Sequence, residues 1–172
     1  FLSILFTRKS KRFELTNLKD KAPLVSVLVP ARNEEKNIDR CVNSLLEQSY
    51  SNIEVIILDD DSSDNTYFIS NEISKSDSRV SVIKGKEIPK GWLGKNWACH
   101  QLSQKATGKF FLFIDSDTKL KPNLIFDSIK MHINEDLDLL TLFPNRKTST
   151  FIDKIISVTI GWMIFSWIPI FL

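Results

Sequence analysis

Ile53-Glu54-Val55-Ile56-Ile57-Leu58-Asp59-Asp60-Asp61-Ser62-Ser63-Asp64 drives an apolar, β-branched run straight into four carboxylates. The run Ile53 to Leu58 predicts a short buried strand of the kind parallel sheets use. The same juxtaposition returns where Phe110 to Ile114 meets Asp115-Ser116-Asp117. Upstream, Leu24-Val25-Ser26-Val27-Leu28-Val29 is a third run, stopped by Pro30. Asn33 is then predicted to cap a helix, with Glu34 and Glu35 in its first turn. Ile38, Cys41, Val42, Leu45 and Leu46 recur at helical spacing and mark its packed face. Asp64 to Lys75 predicts a second helix and Val80 to Ile83 another strand. Lys84 to Gly94 holds three glycines and a proline, so it predicts a loop. Helices over 96–106 and 123–133 and a strand over 137–142 complete the pattern. Strand-helix alternation with short turns predicts a mostly parallel, three-layer α/β domain over residues 23–150.

Ligands of an open parallel sheet bind at the carboxyl edge of its strands. Both acid clusters are therefore expected at one crevice. Like charges gathered there raise one another's pKa values and resist ionisation. A divalent cation or a set of donors offsets that cost, and an oxygen-rich site suits Mg²⁺ or Mn²⁺ completed by water and substrate phosphates. Such an ion lowers the barrier to a diphosphate leaving group by several kcal/mol. Asp59 to Asp64 also reads as an ordinary capped turn before a helix. Its repetition at a second strand end favours the functional reading.

The composition excludes several classes. Hydrophobic residues make up 42% and charged ones 26%, which suits a folded domain and excludes disorder. A formal charge of +2 is too small to favour nucleic acid. Cys41 and Cys99, with His100 and His132 the only histidines, give neither a disulfide framework nor zinc spacing.

The two ends point to a membrane. Phe1-Leu2-Ser3-Ile4-Leu5-Phe6 is followed by Arg8-Lys9-Ser10-Lys11-Arg12. An apolar segment ahead of a basic cluster is the pattern of a membrane anchor with its cytoplasmic flank. Residues 1–22 are accordingly expected to be the end of an N-terminal anchor helix and a juxtamembrane linker. Ile155 to Leu172 carries no charge and contains Trp162 and Trp167. Residues 151–172 are expected to form an apolar helix that lies in the interface or crosses it. With no Met at its start and an apolar run at its end, the sequence reads as part of a longer chain.

Three segments carry a resemblance. Val27-Leu28-Val29-Pro30-Ala31-Arg32-Asn33-Glu34-Glu35, Asp59 to Asp64, and Asp115-Ser116-Asp117 resemble the three motifs of family 2 glycosyltransferases with the Rossmann-like GT-A fold. Gly91-Trp92-Leu93-Gly94-Lys95-Asn96-Trp97-Ala98-Cys99 resembles the branch acting on carotenoid acids and associated with hopanoids. The likeness runs from about Pro23 to Arg146. It implies an inverting transfer of sugar from a nucleotide donor, UDP-linked, to a lipid-like acceptor at a membrane, on the cytoplasmic side. It further implies that Pro30, Arg32 and Glu34 line the nucleotide pocket, and that Asp60 accepts a hydrogen bond from uracil. Asp115 is then expected near the ribose and donor sugar, with Asp117 holding the Mn²⁺ or Mg²⁺ that bridges the diphosphate. Lys95 suits the phosphate charge by type. Asp61 departs from the pattern, which has Gly there. The general base of the family is a later carboxylate, expected beyond Leu172; Glu135-Asp136 and Asp138 come too early and read as a helix end.

Trp92, in the glycine loop, is a candidate wall for a sugar or an apolar acceptor, whereas Trp97 is expected in the core. Other functions fit less well. A P-loop needs Gly where this chain has Pro89 and Ser or Thr where it has Asn96. A nucleotidyltransferase would carry a glycine-rich loop where this chain has Pro30-Ala31-Arg32-Asn33. A tethered binding module that kept the pocket and lost the base is told apart by a Glu-Asp pair further along the gene.

Overall fold

Three of the apolar runs lie side by side at the centre of one sheet. The computed structural model describes residues 22–142, residues 3–7 as backbone, and residues 158–159. The chain forms two compact units, Phe1–Leu142 and Phe143–Leu172, and the described part of the second is helical at 158–159. In the first unit the strands are β1 Ser3–Thr7, β2 Val25–Ala31, β3 Ile53–Asp59, β4 Val80–Lys84, β5 Phe110–Phe113 and β6 Leu139–Leu142. The helices are α1 Ile38–Leu46, α2 Thr66–Ser76, α3 Gly94–Lys105 and α4 Leu124–Asn134.

The sheet order is β4-β3-β2-β5-β1-β6. Strands β4, β3, β2 and β5 are mutually parallel, and β1 runs antiparallel to both β5 and β6. Strand β2 is central and buried on both faces, so alternate residues feed two cores. Val25, Val27, Val29 and Ala31 pack with Val55 and Ile57 against Ile38, Cys41, Val42 and Leu45 of α1 and Ile125 and Ile129 of α4. Leu28, Ile56 and Leu58 face the other way, onto Ala98 and Leu102 of α3. These are the three predicted layers.

Two expectations are corrected. Ser3–Thr7 is a strand rather than the tail of a helix, because its backbone groups pair with β5 and β6 at the registers Leu5↔Leu112 and Leu5↔Leu140. Helix α1 starts at Ile38 with Asn37 as its cap, not at Asn33, which adopts φ 56°. The basic cluster at 8–12 lies outside the described residues, as does the apolar run from Ile155 apart from 158–159. Among the described residues no helix is long and apolar enough to cross a membrane.

Candidate functional site

Register brings the two acid clusters together. Ala31 pairs with Asp59 on one side of β2, and Leu28 pairs with Phe113 on the other. Asp60 N–H donates to the Ala31 carbonyl at 2.8 Å, and Ile114 N–H to Leu28 at 3.0 Å. The chain ends of β3 and β5 thus flank Pro30 at the carboxyl edge, with the first turn of α3 above them. Between them is a cavity of about 350 Å³ lined by Pro30, Arg32, Glu34, Asp60, Lys95 and Asp115, with Asp117 also on its wall. All seven residues singled out from the sequence meet there.

The loop after β2 is locked to the loop after β3. The backbone N–H groups of Asn33, Glu34 and Glu35 donate to Ser62 Oγ, Thr66 Oγ1 and Asp64 Oδ2, at 3.0, 2.7 and 3.1 Å. In return Asn33 Oδ1 accepts from Ser63 N–H, and Glu35 Oε2 accepts from Asn65 N–H. These bonds explain why Asn33 does not cap α1: its side chain is already engaged across the cleft. Asp64 accepts donors from Thr66 and Glu35, which outweigh its partial dehydration and hold its carboxyl below the ordinary value. Asp61 sits at φ 56°, in the left-handed region that favours glycine.

The Asp115–Asp117 segment is held from below by α1. Arg40 Nη2 donates to the Asp117 carbonyl at 3.1 Å, and the Cys41 thiol lies 3.8 Å from the Asp115 carbonyl. One turn on, Ser44 Oγ accepts from Leu120 N–H. Gln48 next donates to the Lys121 carbonyl and accepts from Ile125 N–H. Arg40, Ser44 and Gln48 stand four residues apart, so one polar stripe running along α1 and two residues past its end holds the chain from Asp117 to Ile125. Sequence reasoning missed this stripe; its i, i+4 spacing beside the apolar face was the available signal. Burial, with the nearby Asp117 and Asp115, pushes the Cys41 thiol up to about 12. It is a packed thiol and not a nucleophile.

Two of the carboxylates that line the cavity stand beside cations. Lys95 Nζ bonds Asp115 Oδ1 at 2.5 Å, with the Asp115 side chain 17% exposed. Arg32 Nη1 stands 3.9 Å from Asp60 Oδ2, with the Arg32 side chain largely exposed. Asp60 is closely bounded: a Cβ added at Gly85 would come within 3.2 Å of Asp60 Oδ1. Gly85 thus packs against Asp60 without lining the cavity, whose wall also includes Ala31, Gly94, Ala98 and Ser116. Asp117 is exposed and is one of the residues of the cavity wall. Among the described residues no three His, Cys, Asp or Glu side chains stand close enough to hold a metal by themselves.

Trp97 is not in the core as expected. It is half-buried, its Nε1 donates to the Lys86 carbonyl at 3.0 Å, and its ring lies 5.2 Å from that of Trp92 and 5.4 Å from His100. A polar indole N–H finds its acceptor on the adjoining loop, which keeps the ring at the surface. Trp92 is 42% exposed and is not part of the cavity lining. Glu135 and Asp136 close α4, with Asp136 at φ 50°, as the sequence implied.

Comparison with known proteins agrees with this geometry. Residues 26–154 match the model of the family described as Glycosyl transferase family 2. The UDP-Glc:alpha-D-GlcNAc-diphosphoundecaprenol beta-1,3-glucosyltransferase WfgD of Escherichia coli is 36% identical over 117 residues, covering 68% of this chain and 44% of that protein. The 4,4'-diaponeurosporenoate glycosyltransferase of Staphylococcus haemolyticus is 32% identical over 61% of this chain and 27% of its own length. The crystal structure of S. aureus TarS 1-349 superimposes with a TM-score of 0.55 at 31% identity, over 65% of this chain and 33% of that one. TarS has the same likeness in its complexes with UDP and with UDP-GlcNAc. This chain spans less than half the length of these relatives.

Proposed function

This chain belongs to glycosyl transferase family 2, and we propose that it carries the donor site of an enzyme moving a sugar from UDP to a lipid-borne acceptor, with inversion. The observation that carries the reading is the meeting of Asp60, Lys95, Asp115 and Asp117 in one cavity at the carboxyl edge of β2. Its volume of about 350 Å³ suits a small ligand. The names of the E. coli and S. haemolyticus relatives specify lipid-linked or carotenoid acceptors, and TarS has been crystallised with UDP and UDP-GlcNAc.

In this reading Pro30, Arg32 and Glu34 bound the nucleotide, and Asp60, packed against Gly85, accepts the uracil N–H. Lys95 faces the diphosphate, and Asp115 the ribose and sugar. Asp117 offers a single exposed carboxylate to Mn²⁺ or Mg²⁺, which fits hard cations that keep several waters and take substrate phosphates as ligands. When bound, the ion neutralises charge on the departing diphosphate. Glu135 and Asp136 are not taken as the general base, since they close α4 and are not among the cavity's lining residues. A place at a membrane surface rests on the uncharged apolar run from Ile155, with its two tryptophans, and no longer on the basic cluster at 8–12, whose preceding segment is a strand of the sheet.

The test is calorimetry of UDP with Mn²⁺ and then with a chelator. Asp117→Ala should abolish the metal-dependent part of binding, and Glu135→Ala should leave it intact. Equal binding by both variants would sink the assignment.

A further inference from the structure

The loop between β4 and α3 exposes apolar side chains that the donor site does not use. Ile88, Trp92 and Leu93 are 46%, 42% and 72% exposed, and they fall within six residues of one another. The remaining exposed large apolar side chains among the described residues are spread over other elements. Lys86, Glu87 and Lys90 are exposed among them, leaving the tip with net positive charge. Its base is anchored: Lys86 N–H donates to Gln101 Oε1 at 2.9 Å, and the Lys86 carbonyl accepts from Trp97. Trp97 and His100 in turn support the Trp92 ring, at centroid distances of 5.2 and 5.0 Å. Gly91 turns the tip at φ 91°, and Gly94 then enters the cavity wall. The loop is thus a supported projection beside the mouth of the site, not a frayed one.

Tryptophan and leucine interleaved with lysine are the residues that partition into the headgroup layer of a membrane. Exposed apolar side chains that cluster in this way mark a contact surface, whereas scattered ones do not. The lysines complement anionic headgroups. We propose that residues 86–93 contact the surface of an anionic bilayer and hold the mouth of the donor cavity against it. The proposal rests on the lipid-acceptor reading for its purpose, since an acceptor in the bilayer is then presented at the cavity rim.

The experiment labels Leu93→Cys with an environment-sensitive fluorophore in a Cys99→Ser background, the buried Cys41 being unreactive. The full chain is mixed with phosphatidylcholine vesicles with and without phosphatidylglycerol, in ordinary and brominated forms. Blue-shifted emission and quenching by the brominated, anionic vesicles are expected. Lys86→Gln/Lys90→Gln should weaken this partitioning by roughly 30-fold, the attraction of two lysines to an anionic surface. A label that stays unquenched on vesicle-bound protein overturns the proposal, and so does absence of binding. UDP calorimetry on the labelled and on the unlabelled protein keeps the two readings apart. Retained UDP binding with an unquenched label removes only the loop contact, and lost UDP binding in the unlabelled chain removes the donor site.

Discussion

Lys95→Met separates a phosphate ligand from a structural ion pair. Lys95 Nζ is 2.5 Å from Asp115 Oδ1, but the lysine side chain is 57% exposed. The lysine end is open to water while Asp115 is 17% exposed, and such a half-screened pair contributes about 1 kcal/mol to folding. The variant should therefore lose no more than a few degrees of Tm. Against a diphosphate the same ammonium makes charge-assisted bonds worth about 1.5–3 kcal/mol. UDP should consequently bind roughly 10- to 150-fold more weakly, while uridine, which lacks phosphate, should bind as before. The wild-type preference for UDP over uridine should shrink with added salt, because the interaction is with an exposed charge. Calorimetry of both ligands, with a thermal melt of each protein, reads every term. Equal weakening of UDP and uridine would mean that Lys95 only shapes the cavity. An unchanged affinity for UDP would refute the phosphate role altogether.

Three other outcomes follow from particular contacts. Asp61→Gly removes a side chain from a left-handed position and should stabilise the fold by up to about 1 kcal/mol, seen as a small rise in Tm; a fall would show that the carboxylate has a structural partner. Glu54 is partly dehydrated, which raises its carboxyl, but donors from Ser26, Thr107 and Gly108 outweigh this and hold it below its ordinary value of 4.5. Its contribution is therefore complete above that value and is lost as pH falls through the lower, folded value; Glu54→Gln should flatten this acid limb in urea titrations, and an unaltered limb would remove Glu54 as its source. Cys41 should resist alkylation at pH 8 in the folded protein and react on unfolding, and rapid native labelling would contradict its position beneath Asp115.

The cavity was legible because its chemistry sits where periodicity is strongest. Apolar runs fix β2, β3 and β5 as buried strands, and parallel strands must release their last residues at one edge. Asp60 and Asp117 were bound to meet once the sheet order put β2 between β3 and β5. The supporting contacts were not legible. Asn33 has the residue type of a helix cap, yet Ser62, Ser63 and the loop they belong to claim it from some thirty residues away. Trp97 has the hydrophobicity of a core residue, yet its N–H is satisfied at the surface by Lys86.

What the chain determined by itself was therefore the parallel sheet, the crevice and the acids that line it, since these depend on residue type and local period. The tertiary structure alone decided the role of Ser3–Thr7, whose apolar run suits helix and strand alike until β5 and β6 offer unpaired backbone groups on either side. It also decided how the acidic loop is held, because the Arg40, Ser44 and Gln48 stripe acquires meaning only when α1 packs beneath residues more than seventy positions away. Hydrogen bonds between distant segments leave no period in a sequence, and it is such bonds that position this site.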